Sequence, residues 1–354
     1  MRSDVREEHP GGWASVAGMT TMADIAPESV LLAGAGRAIL LQIAHPAIGY
    51  GVARHSDFAS RPMDRLNGTL TYIYALTSGT EADKRAVRRA VNRAHRPVRH
   101  VPDAPAPPAP DGTAPTAPTV PAASDRGVPT RPGGSVHSVP DGTTRTASEA
   151  ARPTGPAAAV HSVPDVTTHT APADDAAPTH SGDPAYDARD PHLQLWVAAT
   201  LYDTAITVFE LVHGPLDEAS ADRVYREYAL LGTALQMPEK LWPADRAAFR
   251  RYFDRTVKQL TVDDTVRGVA AALLRAEKAP LPIRAGMPLA RFVTVALLPE
   301  RVRAAFGYPW DDRRERLFRR LIRVAAPLYR ALPERLRRAP HRHYLARLHA
   351  PTAT

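Results

Sequence analysis

The 354-residue chain carries 45 Lys and Arg against 37 Asp and Glu, 35 prolines, 6% aromatics and no cysteine. Without cysteine there are no disulfides, thiolate metal sites, iron–sulfur clusters or cysteine nucleophiles, so any metal must be held by histidine or carboxylate. The formal charge of +8 is arginine spread along amphipathic segments with no reading motif beside it, so no nucleic-acid partner is expected.

Residues 101–185 contain no Leu, Ile, Met, Phe, Trp, Tyr or Lys and hold about half of the prolines. Such a stretch cannot bury a core. The expected organisation is a flexible N-terminus (1–26), the first part of a helical domain (27–100), a disordered low-complexity insertion (101–185) and the remainder of the helical domain (186–350). Within the insertion Val136-His-Ser-Val-Pro-Asp141 recurs as Val160-His-Ser-Val-Pro-Asp165. The repeat lacks the apolar residues a solenoid needs for stacking and reads as a linker with polyproline character.

In chain order, residues 1–20 mix acidic and basic side chains with no apolar stretch behind them, so no signal peptide is expected. Ser29 is placed to cap a helix from Val30 whose apolar residues cover nearly every side, as in the centre of a bundle. Arg37, Gln42, His45 and several glycines interrupt the run over 30–53, so it reads as a core helix and no transmembrane segment is expected. Pro46 removes a backbone donor inside that helix, predicting a bend and a carbonyl one turn earlier without its partner, beside His45. A second helix spans 62–76, where Arg65 and Thr69, four apart, share a face, and Gly79 stops it. Thr80 and Asp83 form a capping box for a third helix over 81–98. On it Val87, Val91, Ala94, His95 and Val98 make one stripe, with His95 the only polar ring among them. After the insertion, helices are predicted over 193–208, 221–235, 246–260, 264–276, 288–298, 311–332 and 342–348. No stretch sustains strand alternation, so the fold class is all-α, a multi-helix bundle.

The chemistry narrows quickly. A di-iron bundle needs two Glu-x-x-His pairs, and only Glu210-Leu-Val-His213 has that spacing. No Gly-x-Ser-x-Gly turn exists for a serine hydrolase. Gly34-Ala-Gly36 lacks the rest of a dinucleotide fingerprint. What remains is His95 on an apolar stripe, Arg65 and Thr69 projecting together, and His45 at a helix break. An imidazole facing a dry interior can ligate haem iron, with a cation and a hydroxyl opposite to stabilise bound dioxygen. A lone histidine in that setting is also an ordinary core residue bonded to a carbonyl.

The run Gly36-Arg-Ala-Ile-Leu-Leu-Gln-Ile-Ala-His-Pro46, with Gly51-Val-Ala-Arg-His-Ser56, Arg65-Leu-Asn-Gly-Thr69, Ala94-His-Arg-Pro-Val98 and Tyr186-Asp-Ala-Arg-Asp-Pro-His-Leu-Gln-Leu-Trp-Val197, resembles the catalytic domain shared by MpaB-type oxygenases and latex-clearing rubber oxygenases. The resemblance covers most of the chain outside 101–185. It implies an all-helical fold, haem b, and dioxygen as co-substrate. Carried over by position, the iron ligand is His95, the essential Arg and Thr are Arg65 and Thr69, and His45 lines the haem pocket or hydrogen-bonds within it. Three features depart from the pattern. Gly68 stands where rubber cleavers carry Lys, Ala198 where many relatives carry His, and no Glu lies between Glu28 and Glu81, leaving Asp57 and Asp64 near the Arg. These departures point away from polyisoprene.

The expectation is therefore a cytoplasmic haem-dependent oxygenase acting on a small apolar substrate of prenyl or polyketide type, with its electron donor unspecified. The rival is a non-catalytic helical protein that holds haem or lipid, or docks weakly on an anionic membrane through its arginine-rich C-terminal helices. For residues 313–338 a solvated arginine face over a buried apolar one is the expectation. Deleting residues 104–182 is expected to leave the helical melting transition essentially unchanged, which circular dichroism of the shortened chain would check.

Overall fold

Residue Pro46 does not sit inside a helix but starts one. In the computed structural model of the chain, which describes residues 19–55, 62–100 and 184–349 without the side chains of 62–65, α2 (Ala35–Ile43) ends at Ala44 and α3 (Pro46–His55) departs at 103° to the segment before it. Proline is well placed in a first turn, where its missing donor has no helical partner to lose. The expected orphan carbonyl does not arise: Gln42 O accepts the His45 N–H at 3.1 Å. Ala44 O accepts the Thr261 N–H at 3.2 Å, fastening the corner to a segment more than 200 residues further along. Gly49 completes the turn, since a Cβ there would collide with Ile43 O and the Val266 side chain.

The preceding segment differs from expectation. Residues Ser29–Gly34 form a 3₁₀ helix after Glu28, and Ser29 does not cap it. Its hydroxyl lies 3.3 Å from the Tyr329 hydroxyl, a partner 300 residues away that no local rule foresees. Ahead of it the short helix α1 (Met22–Ile25) opens with a complete capping box and buries Met22 and Ile25, so the core takes in residues assigned above to a flexible terminus. The insertion reading falls on residues 101–183, outside those described.

The next helices follow their patterns. α4 (Pro62–Ser78) and α5 (Glu81–His95) pack together. A two-residue antiparallel pair, β1 (Arg99–His100) with β2 (Tyr186–Asp187), joins the chain on either side of residues 101–183. It is too short to leave an alternation in the sequence.

α6 (Pro191–His213) is capped by Asp190 and buries residues around most of its circumference. It is long and apolar enough to cross a bilayer. Here it is the core helix, packed against Ser29–Gly34, α2 and α13 (Asp312–Ala331). Trp196, almost fully buried, donates its indole N–H to Leu41 O at 3.1 Å. An aromatic cluster of Tyr202, Tyr225, Tyr228, Trp242 and Phe249 joins α6 to α7 (Glu218–Tyr228) and α9 (Arg246–Gln259). The predicted helix over 221–235 breaks at Ala229 into α7 and α8 (Leu230–Thr233). α10 (Asp264–Arg275) packs against α3. α11 (Leu281–Leu297) starts two turns before its predicted position, with Pro282 in its first turn and Pro288 tolerated inside. α12 (Glu300–Ala305), α13, α14 (Glu334–Arg337) and α15 (Ala339–His349) complete the chain.

Two buried ionic clusters link distant segments. Arg37 donates to Asp203 at 2.5 Å, to Thr204 at 2.6 Å and to Leu297 O at 2.8 Å, joining α2, α6 and α11. Glu28, fully buried, accepts from Tyr329 at 2.9 Å, Arg337 at 3.0 Å and Arg338 at 3.3 Å. This anchors the C-terminal helices to the start of the domain. His213 Nε2 stands 3.7 Å from the same carboxylate and its ring stacks on Phe209. His213 of the Glu-x-x-His pair thus serves packing, and no cluster of metal-capable side chains occurs among the described residues.

Along α13 the apolar residues Leu317, Val324 and Leu328 are exposed rather than turned to the core, whereas Phe318 and Ala326 face inward.

Glu28→Ala is expected to lower stability by about 2–3 kcal/mol. Breaking a buried pair costs more, but both arginines can reach solvent. Glu28→Gln should lose less, and urea midpoints measure both.

Candidate active site

The position of His95 is set at the other end of its helix. Thr80 Oγ1 accepts the Asp83 N–H at 3.2 Å while the Asp83 carboxylate accepts the Thr80 N–H at 2.9 Å, the predicted capping box. The Thr80 hydroxyl also donates to that carboxylate at 2.6 Å, and although burial pushes the Asp83 pKa up, the hydrogen bonds the carboxylate accepts hold it below its ordinary value. His349 Nε2 lies 3.0 Å from the same carboxylate, so α15 clasps the start of α5. With the helix phase fixed, Val87 is buried in the core, and Val91, Ala94 and His95, with Val98 beyond the helix end, line a cavity of about 210 Å³.

The facing walls come from α3, α4, β2 and α6. Gly51 and His55, Gly68, Thr69 and Tyr72, Tyr186, and Val197 all line the cavity. None of its described lining residues is Asp, Glu, Lys or Arg. Several polar groups on the wall are committed to the scaffold. Gln42 donates to Thr200 Oγ1 at 3.0 Å, Tyr72 to Leu231 O at 2.8 Å, and Gln194 to Gln236 Oε1 at 2.5 Å. Burial raises the Tyr72 hydroxyl's pKa well above its ordinary value, so it stays protonated. A second cavity of about 110 Å³, with a mostly aliphatic wall, shares Gln42, Thr69, Leu201 and Leu231 with the first. Thr69 therefore stands where the two meet.

Of the residues singled out in the sequence, Thr69 and His95 meet on this cavity. The backbone of Arg65 lies in α4 one turn before Thr69, and its side chain is outside the described residues. His45 does not line the cavity. It occupies the corner between α2 and α3, where burial depresses its pKa and its Nδ1 has no hydrogen-bond partner among the described residues. Both side-chain departures fall on the wall: Gly68 and Ala198 line the cavity, and a Cβ at Gly68 would meet nothing within 4 Å. The cavity is thus emptier by a cation and an imidazole than the pattern noted in the sequence.

One pair was not singled out. His55 Nε2 and the Tyr186 hydroxyl are 2.7 Å apart on the cavity wall, their rings edge to face. The His100 ring lies 5.6 Å from that of Tyr186. Burial, aided by His100, depresses the His55 pKa, so its ring is neutral at pH 7. Both residues sit inside recognised motifs, but 131 positions separate them, and the packing of α3 against β2 brings them together.

The catalytic-domain model described as ER-bound oxygenase mpaB/B′/Rubber oxygenase matches residues 23–118 and 143–327. The chain belongs to this family. It is 28% identical over 302 residues to Uncharacterized protein Rv2237 of Mycobacterium tuberculosis and, to the same extent, to Uncharacterized protein Mb2261 of Mycobacterium bovis. In each case 84% of this chain and 88% of the relative are covered. No solved structure matches significantly. The family assignment spans α1 to α13 and so includes every described wall of the cavity.

Burial lowers the pKa of His45 and His55 from the ordinary 6.5. The folded state favours their neutral form, so as pH falls below about 6.5 the unfolded chain binds protons first and stability drops. The melting temperature is expected to fall between pH 7 and pH 5. A His45→Phe, His55→Phe double variant should show a shallower dependence in the same thermal scan.

Proposed function

We propose that this member of the family is a haem-dependent oxygenase acting on a small apolar substrate. The observation that carries the reading is the His95 imidazole on the wall of a cavity whose described lining holds no charged residue. A b-type haem asks the protein for a neutral nitrogen ligand and a dry apolar cleft. A di-iron centre asks for carboxylates, which this wall lacks. The donor set therefore fits haem.

Bound there, haem would supply activation of dioxygen for attack on a carbon–carbon double bond or an unactivated carbon of the substrate. The protein's part is orientation and electrostatics. His95 would hold the iron through its neutral ring, and the rigid capping of α5 by Asp83 and His349 fixes where that ring stands. Thr69 presents a hydroxyl at the junction of the two cavities, suited to orienting bound oxygen or donating a proton. Arg65, one turn away on α4, takes the role of stabilising developing negative charge from its place in the family motif. The smaller aliphatic cavity beyond Thr69 offers an apolar substrate a place within reach of that hydroxyl. Gly68 adds no side chain to the space between.

Expression with ample haem precursor is expected to give a red protein with a Soret band, and His95→Ala should lose most of it. A colourless sample, or a His95→Ala variant equally red, overturns the reading. Arg65→Ala and Thr69→Ala should retain the band and lose roughly tenfold to hundredfold in substrate-dependent oxygen consumption.

A further inference from the structure

The segment 313–338 holds ten arginines against two glutamates, and the whole chain's formal charge is +8. The net positive charge of the protein is in effect concentrated in these 26 residues, which form α13, α14 and the turn between them. On α13 Leu317, Val324 and Leu328 are spaced seven and four apart and so share one face. They are 55%, 61% and 64% exposed. Leu332 and Leu336 continue the exposed apolar series toward α14. Arg313, Arg316, Arg320 and Arg323, spaced three, four and three, form an adjoining exposed row. The opposite side of the helix is the anchored one, with Phe318 and Ala326 buried and Tyr329 bonded to Glu28. α11, joined to α13 by Phe292 against Phe318, exposes Leu281 and Leu289 as well.

An exposed apolar stripe on a soluble surface marks an interaction site, since isolated leucines need no explanation but an aligned row does. A row of guanidinium groups beside it selects the partner's charge. We propose that α13, with the turn into α14, docks this protein on the surface of an anionic lipid bilayer. The leucine stripe enters the headgroup boundary and the flanking arginines contact lipid phosphates. A second copy of the chain fits less well. Two such faces would bring their arginine rows together, and the two glutamates of the segment are already used, Glu315 by Arg319 and Trp310, and Glu334 by Arg338. The inference does not depend on haem or on the cavity, and its test has no catalytic readout.

The test is sedimentation of the full-length protein with vesicles of phosphatidylcholine alone or with one-third phosphatidylglycerol. Wild type is expected to pellet with the anionic vesicles at 0.1 M salt and to bind at least tenfold more weakly at 0.5 M. A Leu317→Ser, Val324→Ser, Leu328→Ser variant should lose tenfold or more at low salt, as should Arg316→Glu, Arg320→Glu, Arg323→Glu. Both sets are surface residues, so circular dichroism should show unchanged melting. Absence of pelleting by wild type, as when another part of the chain covers the stripe, overturns the proposal. So does equal binding by the serine variant, or equal binding to neutral vesicles at both salts. A wild-type dimer in lipid-free sedimentation equilibrium that the serine variant dissolves would assign the face to a second copy instead, and likewise overturns it.

Discussion

The corner at Ala44, His45 and Pro46 is the constraint on which the rest of the molecule depends. Proline has no N–H to continue α2, so the chain turns by 103° and begins again as α3. If α2 and α3 were one straight helix, Gly51 and His55 would be carried away from Tyr186 and the cavity would lose a wall. The corner is held from three sides: by its own His45 N–H on Gln42 O, by Thr261 on Ala44 O, and by the Trp196 indole on Leu41 O. Each bond satisfies a carbonyl that the end of α2 leaves exposed.

Buried ions supply the long-range ties that apolar packing leaves unspecific. Arg37 and Glu28 each reach several elements through directional bonds, and neither could be moved by one helical position without stranding a charge. Glu28 acts from the first residues of the domain on the last helices. The inner face of α13 is therefore fixed, and with it the outward direction of its leucines.

The cavity and the arginine-rich surface are chemically opposite. One excludes charge from its described wall, the other concentrates it. A protein of this composition needs both solutions, because its surplus of arginine has to lie where water or a phosphate can solvate it.

Helix positions were legible from the sequence wherever the cause is local. The Thr80–Asp83 box and the stripe through Val87, Val91, Ala94 and His95 depend on hydrogen bonds and spacing within a few residues, and the ordered motifs carried the family. Ser29 was misread because its partner is Tyr329, and the α7–α8 break and the early start of α11 also went unseen. The resemblance assigns His45 to a haem pocket; it stands at the corner between α2 and α3 and is not among the residues lining the described cavity, because the direction of the turn decides which residues face it. The His55–Tyr186 pair and the exposure of Leu317, Val324 and Leu328 needed the tertiary structure. Periodicity tells which residues share a face, but what lies opposite that face is decided by segments far away in the chain.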